Sequence, residues 1–220
     1  MEKWLPENKK KPRSKPQPAE SSNPKKCVRT KMPLHRGKRK VLDRYAWIAA
    51  ARAALVAGGI AAVKIGSLAA MLAVTRESFY HHFKSLQELH DELLKDWDMG
   101  NEKVYGELLD SAHDSMREFE AMERMWLDEA TYSPAWDAAI RDWARTSSKT
   151  ARVLKRIDDH RVAIIRQMYV DAGYNDAESL VRARIYYFHQ VGYYTVKPDE
   201  SREERLRLFP IYARILKGLS

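Results

Sequence analysis

A short apolar segment, Gly66-Ser67-Leu68-Ala69-Ala70-Met71-Leu72-Ala73, runs directly into Val74-Thr75-Arg76-Glu77-Ser78-Phe79-Tyr80-His81-His82-Phe83. No other stretch limits the fold as tightly. The two halves read as a helix-turn-helix, with a small amphipathic first helix and a polar, partly basic second one. Thr75 stands where an N-cap is needed, because its hydroxyl can accept an orphan backbone N–H at the start of the second helix. Phe79 and Phe83 lie four residues apart, so they share a face that can anchor this helix to a core. Arg76, Ser78, Tyr80 and His81 are then left facing outward. Their hydrogen-bonding groups suit a helix lying in a DNA groove.

The charge distribution points the same way. Residues 1–40 hold fourteen Lys and Arg against three Glu, a net +11, while residues 41–90 carry +2 and residues 91–220 carry −4. Positive charge therefore collects beside the suspected reader, and the C-terminal half has no electrostatic reason to approach a polyanion. Residues 1–40 also contain six of the nine prolines and no Tyr or Phe. Such a segment buries too little apolar surface to offset its ordering entropy, which predicts disorder. Its charge fits a solvated tail as well as a DNA-contacting arm. Arg36, Lys38, Arg39 and Lys40, abutting the first helix, are the best candidates for an arm. Cys27, the only cysteine, excludes an intrachain disulfide. The N-terminus lacks the apolar stretch of a secretory signal. Residues 53–74 are apolar, but Gly58-Gly59 interrupts them and Lys64 sits near their centre, so two short helices explain them better than a membrane span.

From about Val41 the pattern is helical throughout, and the chain is expected to be all-α. Ile48, Ala51, Ala54 and Leu55 line a first helix ended by Gly58-Gly59; Ile65, Leu68, Ala69 and Leu72 line a second. The third spans Arg76–Phe83, and Ser85 caps a fourth marked by Leu86, Leu89, Leu93 and Trp97. Beyond it, Val104, Leu108, Ala112 and Met116 predict one helix, and Phe119, Met122 and Trp126 another. Further helices carry Ala135, Ala139, Ile140 and Trp143, then Val153 through Met168 with an end at Gly173, then Leu180–Tyr194. Ser201 and Glu204 form a capping box opening the last helix, where Pro210 should introduce a kink.

Other residues invite a chemical reading. His81 and His82 diverge by about 100° on a helix and do not share an ion easily with His90, so no metal is expected. Asp158-Asp159-His160 has neither a nucleophile nor an oxyanion site beside it, so no enzyme is expected, and no cofactor. Trp126, Tyr132, Trp143, Tyr169, Tyr186 and Tyr187 fit a core, and their density also suits a pocket between bundle helices. The candidate lining is Trp126, Trp143 and Tyr187, with His160, Arg161 and His189 as polar groups.

Residues 45–97 resemble the DNA-binding domain of the TetR family of bacterial transcriptional regulators. The resemblance runs from the Ala-rich first helix and Gly59, through Leu68-Ala69 and Val74-Thr75, to Phe79-Tyr80-His81-His82-Phe83-Lys84-Ser85 and Leu89. It implies a three-helix reader over residues 41–90 and a helical effector-binding and dimerisation domain over residues 91–220. By that analogy Arg76, Glu77 and Ser78 reach base edges, Tyr80, His81 and Lys84 touch phosphates, and Thr75 beside them is a further DNA contact. Three positions depart from the family pattern. Ala73 replaces the usual turn Gly, Lys64 stands where a capping Thr is common but could itself reach a phosphate, and Leu86 replaces a frequent Lys. The expected protein is a cytoplasmic, nucleoid-associated homodimeric repressor of a near-palindromic operator, released by a small hydrophobic effector. The last two helices would form the dimer surface. The alternative is a low-specificity architectural DNA-binding protein driven by the basic tail.

Overall fold

In the computed structural model the described residues are 43–111, 114–129 and 132–218. The basic segment with Arg36, Lys38, Arg39 and Lys40, together with Cys27 and Ala112, lies outside them. Among the described residues nine α-helices and one 3-10 turn follow one another, with no strand. Helix α1 spans Arg44–Gly58 and starts where Asp43 accepts the Ala46 N–H at 2.9 Å. Its stripe of Trp47, Ile48, Ala51, Ala54 and Leu55 is buried. Gly59 closes it with φ 69°, a conformation that favours glycine, and donates its N–H to the Leu55 carbonyl.

After the turn Ile60–Ala62 come α2 (Ile65–Met71) and α3 (Arg76–Tyr80). Helix α2 ends in a Schellman motif: the Ala73 N–H meets the Ala70 carbonyl at 3.1 Å and the Val74 N–H meets Ala69 at 2.9 Å. Ala73 occupies the left-handed position of that motif, with φ 55°. Helix α3 is shorter than the expected Arg76–Phe83. The chain turns at His81-His82 so that α4 can begin at Leu86, and Phe83 keeps a bond to the Phe79 carbonyl at 3.0 Å. The Ser85 hydroxyl accepts the Glu88 N–H at 3.2 Å, as its capping position predicted.

Helix α4 (Leu86–Ser111) is one rod where two helices were expected. Gly100 and Gly106 lower its propensity without stopping it, and the Asn101 amide ties back to the Trp97 carbonyl at 2.7 Å. Met116 consequently belongs to α5 (Ser115–Asp128), which Asp114 caps. Then follow α6 (Pro134–Ala144), α7 (Ser148–Asp171), α8 (Asp176–Val196) and α9 (Arg202–Lys217). Each is opened by a side chain that accepts a backbone N–H: Ser133, Ser147, Asn175 and Ser201. Helix α9 runs on through Pro210.

Two cores result. The first gathers α1, α2, α3 and the start of α4 around Trp47, Leu68, Phe79 and Leu93, and extends into α6 and α7 through Trp136, Ile140, Trp143 and Ile157. The second joins α5, α7 and α8 with Tyr105 of α4 around Phe119, Met122, Ile165 and Tyr186. The expected division at residues 90/91 falls inside α4, and the reader's core continues into α6.

Candidate nucleic-acid interface

Residues 64–84 form the surface that the sequence marked out. Phe79 and Phe83, both fully buried, stack with ring centroids 5.3 Å apart, and Trp47 of α1 meets Phe79 edge-on at the same distance. This aromatic wedge holds α3 against the core by one face. Lys64, Thr75, Arg76, Glu77, Tyr80, His81 and Lys84 are exposed, and Ser78 is half-buried. All eight proposed contact residues in this segment are therefore carried on α2, α3 and their flanking turns, with their side chains largely free of the core.

Of the two caps, the one at Thr75 differs from expectation and the one at Lys64 does not. Thr75 does occupy the N-cap of α3, but its hydroxyl accepts no backbone N–H. It instead donates to Glu77, whose carboxyl lies below its usual range because of its own backbone N–H first and Thr75 second. Lys64 caps α2 without a side-chain bond, as its chemistry requires.

The end of the reader is fixed by a residue the sequence reading passed over. The Arg44 guanidinium lies 4.2 Å over the Phe83 ring, donates to the His82 carbonyl, and pairs with Glu88 at 2.8 Å and Glu92 at 3.4 Å. Glu88 in turn accepts the Lys84 N–H at 2.7 Å, and its carboxyl is held below the usual range by that bond first and by Arg44 second. One cation thus clamps α1, the exit of α3 and the first turn of α4. No local pattern reveals a pairing across 44 positions.

The six candidate ligand-lining residues do not form one site. Arg161, almost fully buried, pairs with Asp137 at 3.0 Å and donates to Asn101 and to the Tyr187 hydroxyl at 2.9 Å. Tyr187 also accepts from Arg141 at 2.9 Å and donates to Asp158 at 2.7 Å, while Arg141 grips Asp158 bidentately. Burial, the strongest influence, pushes the Tyr187 hydroxyl's pKa up, so it stays protonated and keeps donating. This network ties α4, α6, α7 and α8 together. Trp126 and His189 instead flank an apolar cavity between α5, α8 and α9 of about 30 Å³, room for a water but not for an effector. Trp143 is a core residue, edge-on to His90 at 5.6 Å. His160 is exposed on α7, at the solvent edge of the face that buries Ile157, Arg161 and Ile164. A larger hollow of about 290 Å³ opens beside the network, lined by Trp97, Asn101, Val104, Tyr132, Trp136 and Asp137. Among the described residues no cluster could hold a metal ion, and no helix is long and apolar enough to cross a membrane.

An all-α chain that presents a short polar helix on an aromatic wedge, after a tight turn from a second helix, defines a helix-turn-helix DNA-binding protein. Residues 48–93 match the bacterial regulatory proteins of the tetR family. No curated protein matches the chain. Three solved structures share its fold at 17% identity, each covering 80% of this chain. They are a TetR-family transcriptional regulator from Streptomyces coelicolor (TM-score 0.67, 88% of that chain), the ketosteroid transcriptional regulator KstR2 of Mycobacterium tuberculosis (0.61, 93%), and a transcriptional regulator from Rhodococcus sp. Rha1 (0.58, 92%). Residues 48–93 thus carry a domain of the tetR family of bacterial regulatory proteins, within an all-helical fold shared with solved transcriptional regulators.

Proposed function

We propose that the chain is a homodimeric, sequence-specific repressor acting at the nucleoid, relieved by a small hydrophobic effector. The observation that carries the reading is the exposed polar surface of residues 64–84 on a rigid aromatic anchor. Arg76, Glu77 and Ser78 read base edges, while Lys64, Tyr80, His81 and Lys84 hold phosphates and fix register. Two copies of α3 would enter successive major grooves roughly 34–36 Å apart on a near-palindromic site.

Dimerisation is supported by apolar side chains left in solvent on the last two helices. Val181, Ile185 and Phe188 are each more than half exposed and follow i, i+4, i+7 spacing on α8, and Leu206, Ile211 and Ile215 are exposed on α9. Such a stripe suits an isologous four-helix contact. The effector would enter the 290 Å³ hollow, which is walled by Trp97 and Trp136 and backed by the Asp137–Arg161 pair. Arg52 of α1 lies 3.6 Å over the Trp136 ring, so occupancy there bears directly on the reader's first helix. One structural neighbour is named a ketosteroid transcriptional regulator, which is in keeping with this reading.

Selection of bound sequences from random DNA tests the reading. A palindromic consensus, with 1:2 DNA-to-protein stoichiometry, is the expected result. Sequence-indifferent binding that vanishes when residues 1–40 are deleted would favour the architectural alternative.

A further inference from the structure

Gly66, the second residue of α2, has no backbone reason to be glycine. It is absent from the glycines with positive φ, and within a helix glycine is about 1 kcal/mol worse than alanine. The space beside it supplies the reason. A Cβ built on Gly66 would stand 2.7 Å from Nη2, 3.0 Å from Nε and 3.1 Å from Cζ of Arg76. The guanidinium of Arg76 thus occupies the space beside the bare backbone of α2's first turn that any side chain at Gly66 would need.

We infer that Gly66 is a positioning residue for DNA recognition: its missing side chain seats the Arg76 guanidinium against α2 and pre-orients it for the base it reads. The inference rests on the reading of Arg76 as a base contact proposed above. A long exposed arginine loses rotamer freedom when it engages a base; a seat that removes part of that freedom beforehand lowers the cost of binding. The contact is between a backbone and the far end of a flexible side chain. Filling the seat therefore displaces Arg76 and leaves the fold intact.

The experiment is a double-mutant cycle in the full chain. Gly66→Ala should leave the melting temperature unchanged or raised, and weaken binding to the selected consensus by about three- to tenfold. Its altered preference should fall at the same base-pair position that Arg76→Ala relaxes, and Gly66→Ala should change nothing further in the Arg76→Ala background. An equal loss in both backgrounds, or no loss in either, overturns the proposal. A readout without DNA separates this failure from failure of the repressor reading. The ¹⁵N relaxation of the Arg76 Nε–H should show a restrained side chain in the native protein and a freer one in Gly66→Ala. Equal mobility in the two proteins overturns the seat whatever the DNA result. A restrained Arg76 in a protein that selects no consensus places the fault with the reading of the surface.

Discussion

The reader and the bundle behind it are held together by different physics. Around α1–α3 every large buried side chain is apolar or aromatic: Trp47, Leu55, Leu68, Phe79 and Phe83, with the polar groups turned outward. Around α6–α8 the interior contains Asp137, Arg161, Thr150, Ser179 and Gln190, and Glu123 on α5 is buried as well. An apolar core has no directional demands and simply keeps its shape. A buried polar network has discrete partners and pays the full desolvation cost when one is lost. The contrast assigns rigidity to the part that must match a groove, and an all-or-none arrangement to the part that faces the candidate effector hollow.

Removing single members should sharpen that contrast most. Asp137→Ala leaves Arg161 buried without its carboxylate and should cost about 3–5 kcal/mol in urea unfolding. Replacing both partners at once, Asp137→Leu with Arg161→Met, should cost far less than the two single changes together. In the reader no such compensation exists: Phe79→Ala should lose about 3–5 kcal/mol, the loss being insensitive to salt. Additive single costs in the bundle would erase the contrast between the two regions.

Smaller effects test each side in turn. Arg76→Ala should leave stability alone and weaken operator binding by about 1–3 kcal/mol with relaxed preference at one position, measured by titration against mismatched sites. Ala73→Gly should stabilise the protein by roughly 0.5–1 kcal/mol, because a left-handed alanine is strained, offset in part by the greater unfolded entropy of glycine. A drop in melting temperature would show that the turn at Ala73 carries no strain. The least effect is expected at His90, wedged between Trp143 and the reader. Burial, partly countered by the Val63 carbonyl, holds its pKa below the ordinary 6.5. The unfolded chain then takes up the proton first, so the stability from neutral His90 is complete above about 6.5 and drains away as pH falls through that value. His90→Gln should flatten that part of the stability–pH curve; an unchanged slope would place the acid sensitivity elsewhere.

Several features were legible without coordinates because they are local. The helical periods, the glycine stop at Gly59, the serine caps at Ser85 and Ser201, and the shared face of Phe79 and Phe83 each depend on neighbours within a turn or two. The turn at Ala73 was marked by the family resemblance, which has glycine there, and the structure shows its left-handed backbone. Helix ends fared worse. Nothing between Trp97 and Val104 forces a break, so α4 continues through two glycines, and α3 stops early because the following helix must start.

What only the tertiary structure decided is which distant residues meet. Arg44 finds Phe83, Glu88 and Glu92; Asp137 finds Arg161; Gly66 receives Arg76. The candidate pocket residues likewise separated into a polar network (Arg161, Tyr187), a cavity wall (Trp126, His189), a core residue (Trp143) and a surface residue (His160). Composition alone could not sort them, because burial of a polar side chain depends on the partner that satisfies it. Local sequence determines which face of a helix is apolar; only packing determines what that face, or the charge beside it, will touch.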